Sequence, residues 1–263
     1  MQAYIDMFIS MQNECRYFFY FIIFSNFIII FAMKFQINIK NKLKTMLNKK
    51  SILLITAHPD DEIMFYSPTL KAITNSNSTV KILCLSNGNY DKIGHIRTEE
   101  YKTISKALKM EDNEILNIPS LQDNITMKWD ASVVSEQIEQ FLNKHSDIDT
   151  IMTFDEYGVT NHPNHISCYD GLVHYINKHR EELKMKKDLH IYLLDSFNPL
   201  MQYTGIIPFI TMYLKQYGFF NWNCIFSYKY MSMYKSQFNI LRKLHVVFSS
   251  YSYSNSFTEV EIK

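Results

Sequence analysis

Ser51-Ile-Leu-Leu-Ile-Thr-Ala-His-Pro-Asp-Asp-Glu62 is the stretch on which the reading of this chain turns. Its first part, Ser51 to Ala57, is a short apolar run that suits a strand buried on both faces of a parallel sheet. Similar runs recur at Val80 to Leu85, Asp149 to Phe154 and His190 to Leu194. Between them lie segments of helical spacing at about Glu62 to Thr74, Arg97 to Met110, Ala131 to His145 and Pro163 to Lys178. Strand and helix alternate, which predicts an α/β fold with a doubly wound, mostly parallel, Rossmann-like sheet. Ligands of such folds bind beyond the C-terminal ends of the strands.

Further along, the pattern weakens. Ser196 to Phe226 is aromatic but interrupted by Pro199, Gly205, Pro208 and Gly218, with Lys215 as its one charge. Core-packing helices are the preferred reading over an interfacial membrane segment. Tyr228 to Val247 again has helical texture, and the chain closes in a polar, Ser-rich tail.

Composition excludes several classes. Lys and Arg number 27 against 26 Asp and Glu, a formal charge of +1, so no nucleic-acid partner is called for. The 47% hydrophobic share is ample for a core. Only six glycines occur, and none lie close enough together for a dinucleotide fingerprint or a phosphate-cradling loop. Cys15, Cys84, Cys168 and Cys224 are scattered, which fits free thiols in a reducing compartment.

Ahead of the α/β pattern, Arg16 and Lys34 enclose an uncharged run from Tyr17 to Met33, at the short end of the roughly 17 to 25 residues that span a bilayer. The expectation is a single membrane anchor at about 17–33 within an N-terminal segment 1–34. Residues 35–50 follow as a basic juxtamembrane linker, 51–257 as the α/β domain, and 258–263 as a tail. Lys34, Lys40, Lys42, Lys44, Lys49 and Lys50 follow the run, so the positive-inside bias puts the downstream domain on the cytosolic side.

Two motifs carry the chemistry: His58-Pro59-Asp60-Asp61-Glu62 and His162-Pro163-Asn164-His165. Each follows an expected strand and opens an expected helix. With Pro59 and Pro163 at first helical positions, His58 and His162 become N-caps, and Asp61 and His165 lie a turn further on, facing the same way. His58, Asp61 and His165 then make a two-imidazole, one-carboxylate set with an open position, the donor pattern of a catalytic zinc site; Fe2+ also suits it. Asp60 is the candidate general base and then acid. His162 is the candidate group beside the developing oxyanion, with Asp155 as its expected partner. One H-P-D-D run is also what a plain helix start looks like, because Asp is favoured in a first turn. Two such loops at corresponding strand ends, with the ligand types shared between them, favour the metal. His95, His145, His174, His179, His190 and His245 fit neither motif and read as surface or core groups. No H-E-x-x-H and no G-x-S-x-G occurs.

At these residues the sequence resembles the PIG-L/LmbE family of zinc-dependent de-N-acetylases, whose signature is A-H-P-D-D-E followed far downstream by H-x-x-H. They stand here as Ala57 to Glu62 and His162 to His165, and the likeness runs through most of residues 51–257. It includes Ser86 to Tyr90, Gly94-x-x-Arg97-x-x-Glu100, Met127 to Asp130, Thr153 to Asp155, and Ser236-Gln237 with Ser249 to Asn255. The resemblance implies an LmbE-like fold, zinc on His58, Asp61 and His165, Asp60 as base and His162 on the oxyanion side. It alone implies Arg97 and Asp123 as substrate-binding residues, Arg97 near a sugar-inositol phosphate. The G-N-Y and T-F-D blocks and the anchor resemble the eukaryotic branch. That implies a membrane-held N-acetylglucosaminyl-phosphatidylinositol substrate, deacetylated in the second step of glycosylphosphatidylinositol-anchor synthesis at the cytosolic face of the endoplasmic reticulum. The rival readings are a deacetylase of soluble amino sugars or glucosaminyl-inositol conjugates, and a non-catalytic membrane scaffold. Tyr234 stands where relatives tend to have His before the Ser-Gln pair.

Overall fold

Ile52, Leu53, Leu54 and Ile55 are all buried. Successive strand side chains point to opposite faces, so four buried in a row require cover on both sides of the sheet. The computed structural model describes residues 16–28, 47, 50–110, 112–186, 188–205, 207 and 217–262. Within it a seven-stranded sheet comprises β1 (Ser51–Thr56), β2 (Thr79–Cys84), β3 (Glu114–Ile115), β4 (Thr150–Phe154), β5 (His190–Leu194), β6 (Tyr217–Phe220) and β7 (Ser254–Glu259). Their order is β3-β2-β1-β4-β5-β7-β6. The first five run parallel, and β7 and β6 extend the sheet antiparallel.

The helices used below are α1 (residues 16–28), α2 (Asp61–Thr74), α3 (Gly94–Ala107), α4 (Ala131–Lys144), α5 (Pro163–Lys178), α6 (Ile225–Met231) and α7 (Ile240–Phe248). From β1 the chain crosses through α2 to β2, and from β4 through α5 to β5, in opposite directions along the sheet. Right-handed crossovers therefore set α2 and α5 on opposite faces. The reversal between β1 and β4 is the topological switch point, where a crevice opens beyond the strand ends. Both sequence motifs begin there.

The C-terminal third departs from the sequence reading. The aromatic stretch expected to form core helices holds a short helical turn at Pro199–Gln202 and the start of α6, but it also contributes β6, whose Phe219 is buried; residues 206 and 208–216 of it lie outside the described residues. The Ser-rich tail holds β7. The tail is an interior element: Asn255 donates from Nδ2 to the Phe65 carbonyl (2.7 Å) and accepts from Thr69 N and Oγ1 (3.2 and 2.7 Å). Small polar side chains there satisfy buried backbone at the edge of α2, a role hydropathy alone reads as solvent exposure. β7 runs through Glu259, two residues into the segment read as a tail. The single helical texture from Tyr228 to Val247 resolves into α6 and α7, separated at Asn239, whose side chain caps α7.

Among the described residues, no helix is long and apolar enough to cross a membrane. The run expected as an anchor falls within them only to residue 28, where α1 exposes Phe18, Phe21 and Phe24. Residues 29–33 and most of the linker lie outside the described residues.

α4 packs against α5 so closely that a Cβ on Gly171 would overlap the Val134 side chain. Gly171→Ala is expected to cost about 1–3 kcal/mol through overpacking. It should appear as a lower urea midpoint, partly recovered when Val134→Ala is added.

Candidate metal centre and active site

Asp61 organises the first loop. Its Oδ2 accepts from the backbone N–H of His58 (2.8 Å) and of Ala57 (3.1 Å). This closes the turn before a helix can begin at Pro59, so α2 starts at Asp61 with Asp60 as its N-cap, not at Pro59 with His58 as cap. The second loop does start as read, with His162 capping α5 and Pro163 in its first turn. Asp61 still faces the expected partners: its Oδ2 lies 3.7 Å from His58 Nδ1, and its Oδ1 lies 3.3 Å from His165 Nε2.

The outer nitrogens decide what each imidazole presents. His165 Nδ1 lies 3.0 Å from the Gly158 carbonyl, an acceptor, so Nδ1 carries the proton and Nε2 offers a lone pair toward Asp61. His58 Nε2 lies 3.1 Å from both Asn164 Oδ1 and Asp123 Oδ1, so it is the donor and Nδ1 holds the lone pair. Both lone pairs thus point to the Asp61 carboxylate, a preorganised N2O donor set. His162 joins the same cluster, within 4.8 Å of His58 and His165. However, its Nδ1 accepts from the Asn164 N–H (3.2 Å), which places the neutral ring's proton on Nε2, facing the site as a donor. Distance groups the three histidines; hydrogen bonding leaves two of them with a lone pair toward Asp61 and the third with a proton toward the site. The His165 ring is fixed by stacking on Phe154, with centroids 4.4 Å apart and planes 7° apart. Gly158 has φ +55°, and a Cβ there would press on His165.

Comparison with known proteins places this geometry. The profile of the family described as PIG-L: GlcNAc-PI de-N-acetylase matches residues 53–176. A Dictyostelium discoideum protein named probable N-acetylglucosaminyl-phosphatidylinositol de-N-acetylase is 30% identical over 260 residues, covering 87% of this chain and all of that one. The chain belongs to the PIG-L family. A Schizosaccharomyces pombe relative of the same name is 35% identical over 61% of this chain and 63% of its own. Among solved structures, N,N'-diacetylchitobiose deacetylase from Pyrococcus horikoshii shares the fold at 14% identity, with a TM-score of 0.55 over 81% of this chain and 84% of that one.

In this PIG-L chain Asp60 is almost wholly buried and has φ 104°, a left-handed backbone that costs a non-glycine residue of order 1–3 kcal/mol. The surroundings hold it there. Its N–H donates to Glu62 Oε2 (3.1 Å), and its carbonyl accepts from Ile63 and Met64 N–H. Oδ1 accepts from Arg97 Nη2 (3.0 Å); Oδ2 has Arg242 Nη2 at 3.3 Å as an ion pair but accepts no hydrogen bond.

Arg97, expected near substrate phosphate, is buried and binds protein instead: Asp60, the Pro59 carbonyl and the Gly88 carbonyl, with Asp123 Oδ2 at 3.7 Å from Nη1. A side chain on Gly88, at φ +66°, would overlap the guanidinium. Asp155 does not hold His162 as expected. Its carboxylate accepts from Tyr157 and Gly158 N–H and from Ser196 N and Oγ, and so builds the turn that presents the Gly158 carbonyl to His165. Asp123 meets His58. Three participants escaped the sequence reading. Asn164, inside the second motif, joins His58 to the 123–127 loop through Asn124 N–H and the Met127 carbonyl. Arg242 reaches Asp60 from a distant helix, and Tyr234 donates to Glu62 Oε1 (2.7 Å). Asn164 had a local signal in its place between two site histidines, and Tyr234 in its place before the Ser236-Gln237 pair, but Arg242 had none.

The charges follow these contacts. Burial works to lower the His58 pKa, but the Asp123 hydrogen bond and the Asp61 charge outweigh it, and the net direction is up. Burial works to raise Asp61, and His165 and His58 outweigh it, holding that carboxyl well below its usual range. Burial, together with the charges of His165 and His58, takes His162 down to about 4, so it is neutral at physiological pH.

Burial, with Asp60 adding to it, lifts Glu62 to about 8. A carboxyl raised on folding favours the protonated fold, so its contribution is intact below about 4.5 and is lost as pH climbs toward 8. Glu62→Gln, which keeps a neutral acceptor for the Asp60 N–H, is expected to flatten this fall. Denaturant midpoints at pH 6 and pH 8.5 should differ less in the variant than in the wild type.

Proposed function

We propose that this chain is a metal-dependent amidohydrolase that removes acetate from N-acetylglucosaminyl-phosphatidylinositol, leaving the free glucosaminyl lipid. The observation that carries the reading is the pair of imidazole lone pairs, His58 Nδ1 and His165 Nε2, converging on Asp61 beside an Asp60 oxygen that accepts no hydrogen bond. The substrate is that named for the D. discoideum relative matched over its full length. The acyl chains of that substrate give the apolar run at residues 17–33 a purpose, since the lipid does not leave the bilayer. Placement at the endoplasmic reticulum with the α/β domain toward the cytosol is part of the proposal, supported by the lysines after the run and by the unpaired Cys84, Cys168 and Cys224.

His58, Asp61 and His165 fit a divalent cation by donor type and tautomer, and zinc is the proposed ion. Such an ion supplies Lewis acidity and lowers the pKa of a water to about 7. The chain's own groups then divide the work. Asp60 Oδ2 takes the proton of the attacking water while the C–O bond forms, and returns it to nitrogen as the amide C–N bond breaks, so acetate and amine leave balanced. Arg97 and Arg242 fix the Asp60 carboxylate from two sides. His162, neutral and donating from Nε2, meets the oxyanion as it develops, at the strength typical of one such donor. Asp123 keeps the His58 proton on the nitrogen turned away from Asp61.

Purified protein given the glycolipid in detergent is expected to release acetate, to stop with a chelator and to resume with zinc. No release by folded, metal-loaded protein would refute the assignment. Asp60→Asn should retain metal but lose about 10²–10⁴-fold in kcat, and His162→Ala should retain metal and lose about 10²–10³-fold. His58→Ala, Asp61→Ala and His165→Ala should lose metal and turnover together, read by elemental analysis beside the acetate assay.

A further inference from the structure

α7 is amphipathic in the inverted sense. At about 100° per residue, Arg242, His245 and Val246 share one arc, while Ile240, Leu241, Leu244, Val247 and Phe248 fill the opposite arc of about 120°. Arg242 and His245 face the protein, and the exposed Lys243 sits at the edge of the apolar arc. Arg242 reaches Asp60 at 3.3 Å. His245 is buried and hydrogen-bonds the backbone of Met64, whose carbonyl Pro68 leaves without its helical donor. The outward arc carries no polar side chain and is open, with Ile240 67% and Leu241 72% exposed. A helix on a water-facing surface presents the reverse arrangement.

The apolar surface continues on either side. Ahead of α7, Phe238 packs edge-on against Tyr228 of α6 at 5.2 Å, and α6 exposes Ile225 just after the exposed Trp222. At the far end the Gly205 N–H donates to the Phe248 carbonyl (3.0 Å), which brings the exposed Leu200 and Tyr203 alongside. The exposed charges on these elements are of one sign: Lys229, Lys235 and Lys243, with no Asp or Glu between Ile225 and Phe248. The carboxylate that reaches the patch from elsewhere is Glu100, which accepts from Ser236 N–H and Oγ. An apolar stripe whose own elements carry exposed lysines and no carboxylate complements the interface of an anionic bilayer. A second copy of the chain would set these cations against their like.

We propose that α7 is a membrane-docking helix whose stripe of Ile240, Leu241, Leu244, Val247 and Phe248 inserts at the interface of an anionic phospholipid bilayer. Docking holds the Asp60 side of the site against the surface from which a lipid headgroup projects, and Arg242 couples the docked helix to the carboxylate. The purpose of docking rests on the glycolipid reading, whereas the lipid contact is measured apart from turnover. The proposal concerns the catalytic domain's own face and is separate from the run at residues 17–33, which contains no tryptophan.

The test uses the full chain in phosphatidylcholine vesicles, with and without phosphatidylserine, comparing wild type with Leu241→Glu/Leu244→Glu. Acyl-brominated lipids quench only tryptophans near the bilayer; the chain has two, Trp129, buried beside His58, and Trp222, exposed. Quenching is expected in the wild type, stronger with phosphatidylserine and largely lost in the variant. Acetate release from vesicle-borne substrate should fall about tenfold or more in the variant, the scale of two lost leucine insertions. Release from the acyl-free headgroup in solution should stay within about twofold, which shows the variant is folded. Equal quenching and equal vesicle turnover in both proteins would overturn the proposal. So would unchanged quenching with loss of self-association in the variant, which would assign the stripe to a second copy. Absence of turnover by the wild type on either substrate would remove the deacetylase reading, and the quenching would still decide the docking.

Discussion

The Asp61 carboxylate carries more of this structure than any other group. It accepts the two backbone N–H groups that β1 would otherwise leave unpaired at the crevice, and with the same oxygens it faces the His58 and His165 lone pairs. Backbone closure and site assembly are therefore one event: the bonds that end the strand also aim the carboxylate. A buried anion is costly unless it is hydrogen-bonded and matched by positive charge. Here two amides are its partners and its remaining faces meet two imidazoles, where the proposed divalent cation would sit.

Around that centre each functional group has a fixed neighbour that sets its state. Gly158 and Asn164 choose opposite tautomers for His165 and His162, although the rings lie only 4.8 Å apart. Asp123 does the same for His58. Asp60 is held in a left-handed backbone by Glu62, which is itself held by Tyr234, while Arg97 and Arg242 position its carboxylate. The strain at Asp60 persists because the turn is over-determined, as expected where a reactive group must be presented away from its own helix.

The inverted α7 links this site to the outside. This helix turns Arg242 and His245 toward the site and its leucines outward, the reverse of a water-facing helix and the arrangement the proposed bilayer contact would use. The same element thereby touches both Asp60 and the proposed lipid surface.

Much was legible in the chain itself. The four-residue apolar core of β1, the alternating helical segments and the two H-P motifs determined the parallel half of the sheet and which residues gather at the switch point, because strand burial and helix starts are local matters of side-chain pattern and backbone sterics. Other features were decided only by the tertiary structure. β6 and β7 are antiparallel additions whose aromatic and Ser-rich sequences have no distinctive period, and they become strands because α2 needs Asn255 and its neighbours against it. The start of α2 moved two residues because Asp61 found amides behind it, which spacing does not reveal. Asp155 left His162 for Ser196, 41 residues away, and Arg242 reached Asp60 across most of the chain. A motif records which groups are near in sequence. Which nitrogen carries a proton, and which cation a carboxylate oxygen meets, depends on partners that only the folded chain brings close.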